Sequence, residues 1–149
     1  MSRAADPADR LAVHELLYRY AELIDAGDFD GVGVLLGRGT FMGVAGAEAI
    51  ATLFATTTRR FPEHGNRTRT RHLVLNPIVE IEGARAWARS TFCVVQQTDR
   101  VALAPIVVGR YADTFARDEQ SWYFTERKVD VEMIGDVTDH LLIDPRSFG

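Results

Sequence analysis

Arg67-Thr68-Arg69-Thr70-Arg71-His72-Leu73-Val74-Leu75-Asn76-Pro77 is the stretch in which the pattern of this chain turns from helical to extended. Arg67, Arg69 and Arg71 alternate with Thr68, Thr70, His72, Val74 and Asn76, and successive side chains of a strand point to opposite faces. The arginines claim the solvent side, which directs His72 inward. Val79 and Ile81 share that inward face only if the register slips by one residue. Asn76-Pro77 is the natural place for such a bulge, because proline cannot donate to a strand ladder. A bulge there curves the sheet.

Downstream the period of two continues, broken by turns at Glu82-Gly83, Asp99-Arg100 and Arg117-Asp118-Glu119. Four long strands are predicted, over 67–82, 84–98, 102–117 and 121–134, and their short connections make neighbours antiparallel. Upstream, residues 7–27 read as a helix. Pro7 suits its first turn after Asp6, and Ala12, Val13, Leu16, Leu17, Tyr20, Leu23 and Ile24 form a broad apolar arc that ends at Gly27. On the flank of that arc, at i, i+4, i+7 and i+11, lie His14, Tyr18, Ala21 and Asp25. Asp28 is placed to cap a short second helix through Leu36, a brief strand is expected over 40–44, and 48–61 reads as a third helix stopped by Pro62. Helices followed by a bent antiparallel sheet define an α+β class. The expected architecture is a cone-shaped barrel, the sheet wrapped around the N-terminal helices with an apolar pocket between the layers. A single domain is expected over 1–149, with its core at about 8–134 and a tail, 135–149, that packs on the sheet or on a second subunit.

Composition narrows the function classes. The 149 residues are 46% hydrophobic and 26% charged, enough for one core with a pocket, and the net charge of -4 does not suit a polyanion-binding surface. No apolar run approaches the roughly 18 residues that span a bilayer, so a cytoplasmic protein with neither nucleic-acid nor membrane partners is expected. Cys93 stands alone, in a strand-like stretch where a thiol packs as a small hydrophobe. There is no histidine pair at metal-ligand spacing, no glycine-rich phosphate loop after a strand and no serine elbow; neither metal nor cofactor is expected. Asp25, Asp28 and Asp30 with Gly31 lack the later glutamate of a calcium loop, and capping accounts for them. Arg59, Arg60, Arg67, Arg69 and Arg71 form a basic patch, read as a solvated edge.

Asp25 and His72 are the candidate catalytic pair. A carboxylate at a helix C-terminus opposes the macrodipole by about 0.3–1 kcal/mol, and an inward histidine displaces apolar packing. Brought together, the carboxylate would orient the imidazole through one ring nitrogen and leave the other free for proton transfer. Kept apart, Asp25 closes a turn and His72 is a core histidine bonded to a hydroxyl. Candidate substrate contacts are Tyr18, one turn before Asp25, and Asn76, two pairs along from His72, although the first also suits half-buried packing and the second the bulge itself. Tyr111 and Asp113 share a strand face, where Asp113 supplies either a pocket acid or a bond to the next strand.

The ordered set Leu17-Tyr18-Arg19-Tyr20-Ala21-Glu22-Leu23-Ile24-Asp25-Ala26-Gly27-Asp28, Arg71-His72-Leu73-Val74-Leu75-Asn76, Gly109-Arg110-Tyr111-Ala112-Asp113 and Trp122-Tyr123-Phe124-Thr125-Glu126-Arg127 resembles the SnoaL-like proteins of the nuclear transport factor 2-like superfamily. That resemblance implies an α+β cone with a deep apolar pocket, frequently dimeric. Its relatives include polyketide cyclases, scytalone dehydratase, ketosteroid isomerases, epoxide hydrolases and non-catalytic dioxygenase subunits, so fold alone does not settle function. Asp25 and His72 match the dehydratase dyad. Ile24 stands where the dehydratase has a tyrosine, and its second pocket histidine has no evident match among His14, His64 and His140. The resemblance therefore implies a cofactor-independent lyase or isomerase, dehydratase- or cyclase-like, acting by general acid/base chemistry on a small hydrophobic cyclic or aromatic oxygenated molecule, as a homodimer. Its alternatives are a non-catalytic ligand-binding or assembly protein and, third, an epoxide hydrolase.

Overall fold

A computed structural model describes residues 6–144. The first helix, α1 (Pro7–Asp25), starts where Asp6 accepts a hydrogen bond from the Ala8 amide at 2.9 Å and Pro7 fills the first turn. It buries Val13, Leu17, Tyr20 and Ile24 of the predicted arc, with Ala21 from the flank beside it, while Ala12, Leu16 and Leu23 are partly buried. Burial contributes about 1.5–3 kcal/mol for each large apolar side chain removed from water. Gly27 then turns the chain at φ 74°, in the left-handed region where glycine is favoured. Any side chain there would meet the Asn66 carbonyl 2.2 Å from its Cβ. The end of α1 is thereby pressed against the chain entering the long sheet.

Asp28 caps α2 (Phe29–Leu36) by accepting from the Gly31 amide at 2.9 Å. The brief strand expected next is a miniature hairpin: β1 (Thr40–Phe41) and β2 (Val44–Ala45) flank Met42 and Gly43, both at positive φ. The third helix, α3 (Ala47–Thr57), stops four residues before the predicted end. Thr58 is already extended and bridges Leu141, as suits a β-branched residue offered a strand partner.

Four long strands follow: β3 (Thr70–Glu82), β4 (Arg85–Gln96), β5 (Ala104–Arg117) and β6 (Trp122–Ile134). The sheet order is β2-β1-β6-β5-β4-β3, antiparallel except where β1 runs parallel to β6. This is an α+β fold, with one face of a curved mixed sheet against the helices. The register of β3 against β4 shifts between Leu75 and Ile78, at the predicted bulge, so Val74 before it and Val79 and Ile81 after it all turn toward the core. β3 begins three residues later than predicted, because Asn66 and Arg69 adopt positive φ (both 59°) and Arg67 makes only an isolated bridge to Phe61. Cys93 is half-buried on the outer side of β4, between the buried Phe92 and Val94 in sequence.

The described part of the tail, 135–144, packs on its own chain, and 145–149 lie outside the described residues. Gly135 donates to the Ile106 carbonyl, Gln96 donates from its side chain to the Asp139 carbonyl at 3.2 Å, and the Leu142 amide donates to Thr57. Asp139 fastens this strap by accepting from Thr98 (2.7 Å) and Arg100 (2.6 Å), bonds that hold its carboxyl below the usual range. Among the described residues no helix is long and apolar enough to cross a membrane.

Candidate active site

Asp25 and His72 meet. The His72 Nδ1 lies 2.7 Å from Asp25 Oδ1, and the His72 amide donates to Asp25 Oδ2 at 3.0 Å. Thr70 adds a third donor, its hydroxyl 2.8 Å from Oδ1. With that proton committed, the Thr68 hydroxyl donates to Thr70 Oγ1 at 2.7 Å. The alternation read from the sequence produces this cluster: Thr68, Thr70 and His72 share the inward face of the incoming strand, and α1 ends opposite them. Side-chain exposure is 7% for His72 and 11% for Asp25, so the bond is largely removed from competing water, and every Asp25 contact keeps the carboxylate aimed at the ring.

The ring of His72 also lines a cavity of about 120 Å³ between sheet and helices. Ile24, Phe54, Phe92, Val94, Val107 and Val131 give the cavity its apolar wall. His72, His140, Tyr20, Tyr111, Thr57 and Thr58 are the polar residues that line it. Burial is the main cause that raises Tyr20, to about 12 despite the opposing charge of Arg127, and it lifts Tyr111 well above the ordinary phenol value. Both phenols stay protonated at neutral pH. Tyr111 stacks on Phe92 at 4.4 Å and meets Tyr20 edge-on at 5.8 Å, which fixes both rings.

The remaining predicted contacts do not line the apolar cavity. Asn76 is exposed at φ 53° in the bulge; the expectation that it shares the inward face with His72 fails, because the extra residue of the bulge turns it out. Tyr18 is 43% exposed, stacks on His14 at 6.2 Å and borders an open hollow with Asp25, His72, Arg67 and Arg71, on the other side of the pair from the apolar cavity, which it does not line. Asp113 is buried beside Arg127 on β6, in a two-pronged ion pair of 2.8 and 3.0 Å. Arg127 is fully buried, its guanidinium carbon 3.8 Å from the Tyr111 ring centre and 4.2 Å from that of Tyr20. Burial works against its charge, but the Asp113 carboxylate and its hydrogen bonds outweigh that, and the net direction is upward.

His140 is the residue that sequence reasoning placed elsewhere. The strap carries it back over the mouth of the cone, where its ring sits 5.8 Å from that of His72, edge to face. It is 6% exposed, and its Nδ1 has no hydrogen-bond partner among the described residues. Burial, and then the neighbouring His72, push its pKa down to about 3. The sequence signal for it is a histidine set between Val137 and Leu141-Leu142-Ile143, an apolar tail that belongs on a core. No group of three or more His, Cys, Asp or Glu side chains among the described residues is arranged to hold a metal ion.

Comparison with known proteins agrees with this architecture. No curated protein matches the chain. Among solved structures, a cystatin-like-fold protein of unknown function from Nostoc punctiforme superposes with a TM-score of 0.71 at 20% identity, over 87% of this chain and 96% of that one. Rv3472 from Mycobacterium tuberculosis, also of unknown function, gives 0.70 at 21% identity, over 87% of this chain and 79% of that one. A candidate scytalone dehydratase from Novosphingobium aromaticivorans gives 0.67 at 18% identity, over 87% of each chain. At such identities the likeness is one of fold. A SnoaL-like domain matches residues 6–128, most of the chain and both members of the Asp25–His72 pair, and the protein belongs to the SnoaL-like family.

Proposed function

We propose that this protein is a cofactor-independent lyase or isomerase that moves a proton on a small, cyclic, oxygenated, largely apolar molecule. The observation that carries the reading is the 2.7 Å bond from His72 to Asp25 at the wall of an apolar cavity. Nδ1 donates to the carboxylate, so the lone pair of the neutral ring is on Nε2, the nitrogen free to accept a proton from substrate. Abstraction of hydrogen from carbon next to a carbonyl transfers that proton to His72 and moves the electron pair into an enolate. Return of the proton to another carbon completes an isomerisation. Its delivery to a departing β-hydroxyl releases water. Both outcomes, and aldol-type ring closure, share the first step. Asp25 orients the ring and stabilises its charged form as the proton arrives.

Size supports a single-ring substrate. An engineered apolar cavity of about 150 Å³ binds benzene, and 120 Å³ is of the same order. Cyclohexanone in heavy water therefore tests the shared step. The protein should catalyse exchange of the hydrogens next to the carbonyl, and His72→Ala should fall to the buffer rate while keeping its fold. Equal exchange by the two proteins would reject the assignment.

A second copy of the chain is the partner we propose for the outer sheet face, where Leu73, Leu75, Ile78 and Trp87 are 40–49% exposed. Exposed apolar side chains on neighbouring strands favour association, and assembly without catalysis is the second reading. Sedimentation at micromolar concentration would show a dimer, and a monomer would remove this support.

A further inference from the structure

The strap over 135–144 does more than close the cone. His140 is more than nine-tenths buried, it lines the cavity beside His72, and its Nδ1 is sealed off without a partner among the described residues. A buried polar atom without a partner is an exception that calls for a reason. A neutral imidazole carries one proton, and the smaller loss is to leave the sealed nitrogen as the bare acceptor, which puts the proton on Nε2. Nε2 is not sealed off in this way, and the residue lines the cavity.

The groups facing this ring have been fixed by the fold. His72 lies 5.8 Å away and Asp25 behind it, engaged with His72; Thr57 and Thr58 border the same cavity from the end of α3, and the Thr57 hydroxyl is engaged with the Leu53 carbonyl. On its own segment, Asp139 is committed to Thr98 and Arg100. The His140 carbonyl accepts from the Arg59 amide at 2.8 Å, and the Leu141 amide donates to Val137, so the backbone on both sides of the ring is pinned. A donor held this rigidly loses little freedom when a ligand arrives.

We propose that His140 is a substrate-binding residue, a neutral imidazole whose Nε2–H donates to the carbonyl oxygen of a cyclic ketone held in the cavity, with His72 positioned to take the proton from the adjacent carbon. Negative charge that develops on the oxygen would then face a fixed donor in a water-poor site, where such a contact has its greatest effect on rate. A ring that resists protonation keeps this role through the neutral range, consistent with the depressed pKa. The proposal rests on the proton-transfer reading only for the part played by His72; ketone recognition by His140 stands on its own.

The test uses two ligands of nearly the same shape, cyclohexanone and methylenecyclohexane, which exchanges the oxygen for a CH₂ group. Dissociation constants of the full-length protein are measured by NMR titration, with the His140 ring nitrogens observed directly. Wild-type protein should bind the ketone about tenfold more tightly than the hydrocarbon, and His140→Phe should lose that preference. His140→Gln, which restores an N–H donor, should recover most of it. The Nε2–H proton should move downfield with the ketone and stay in place with the hydrocarbon, an observation on unmodified protein that does not depend on how a variant folds. Failure of both ligands to bind at millimolar concentration, equal affinity for the two, or an Nδ1–H tautomer in the complex would each overturn the proposal. If His140→Phe loses the preference while His72→Ala leaves hydrogen exchange unchanged, ketone recognition survives and the acid/base reading falls. If exchange is lost in His72→Ala while His140→Phe keeps the preference, the acid/base reading survives and ketone recognition by His140 falls.

Discussion

The Asp25 carboxylate takes three donors from β3 at once: the His72 ring at 2.7 Å, the His72 amide at 3.0 Å and the Thr70 hydroxyl at 2.8 Å. Three hydrogens converging on two oxygens leave no position for an amide nitrogen. In Asp25→Asn, the NH₂ group must face at least one of these donors, and the ring loses the anion that steadies it. We expect a drop of about 100-fold in cyclohexanone hydrogen exchange, within the range for general acid/base groups. Stability should fall by about 1–3 kcal/mol, the cost of a buried donor left unpaired. Urea unfolding and the exchange assay read the two effects separately, and a variant with native rate and stability would show the bond to be incidental.

His140 makes stability depend on pH in a defined window. Its pKa is about 3 in the folded chain against an ordinary 6.5 when unfolded. Between those values the unfolded state binds a proton that the folded state refuses, so stability rises with pH and is lost as pH falls from 6.5 toward 3. Between pH 7 and pH 5 this one group should remove about 2 kcal/mol, from 1.36 kcal/mol per pKa unit. His140→Phe carries no such proton, so its loss over the same interval should be smaller by that amount in urea unfolding. Parallel pH dependence in the two proteins would contradict a buried neutral His140.

Val94 stands opposite His72 in the β3–β4 register, buried, with its side chain at the cavity wall. Val94→Phe projects a ring into the cavity of about 120 Å³. Filling such space avoids the usual strain of overpacking, so stability should stay within about 1 kcal/mol of wild type. Cyclohexanone affinity should nevertheless fall at least tenfold, and catalysed exchange with it. If binding is untouched, the ligand sits elsewhere, and the open hollow beside Tyr18 becomes the place to look.

What the sequence makes legible follows the reach of its local patterns. The period of two that sets Thr68, Thr70 and His72 on one face, and the helical wheel that sets Asp25 at the end of α1, are short-range rules; both survive folding because the core agrees with them. The bulge at Asn76-Pro77 is legible for the same reason, yet the side-chain direction of Asn76 is not, since a bulge reverses the alternation at the residue that forms it. His140 lies beyond these rules. Its position depends on Asp139 reaching Thr98 and Arg100 across 41 and 39 residues, which no periodicity encodes. Arg127 is hidden too, because a charged residue in a strand reads as solvent-facing until a partner such as Asp113 is known to lie beside it.

Asp113 and Arg127 provide a test of whether that carboxylate serves structure or chemistry. They are directly paired between β5 and β6, their side chains have no exposure, and Arg127 is further enclosed by Tyr20, Tyr111 and Phe124. Asp113→Leu would leave a full positive charge in that enclosure, and removing one partner of a buried pair costs about 3–5 kcal/mol. Replacing both, Asp113→Leu with Arg127→Met, removes the two desolvation penalties together and should recover most of that loss. A cooperative urea transition near the wild-type midpoint for the double variant, beside a strongly destabilised single variant, is the expected result. The double variant should also keep cyclohexanone exchange within about tenfold, since neither side chain lines the cavity. Exchange reduced to the buffer rate in a well-folded double variant would instead make the pair part of the chemistry, acting through the Tyr20 and Tyr111 rings that lie against Arg127.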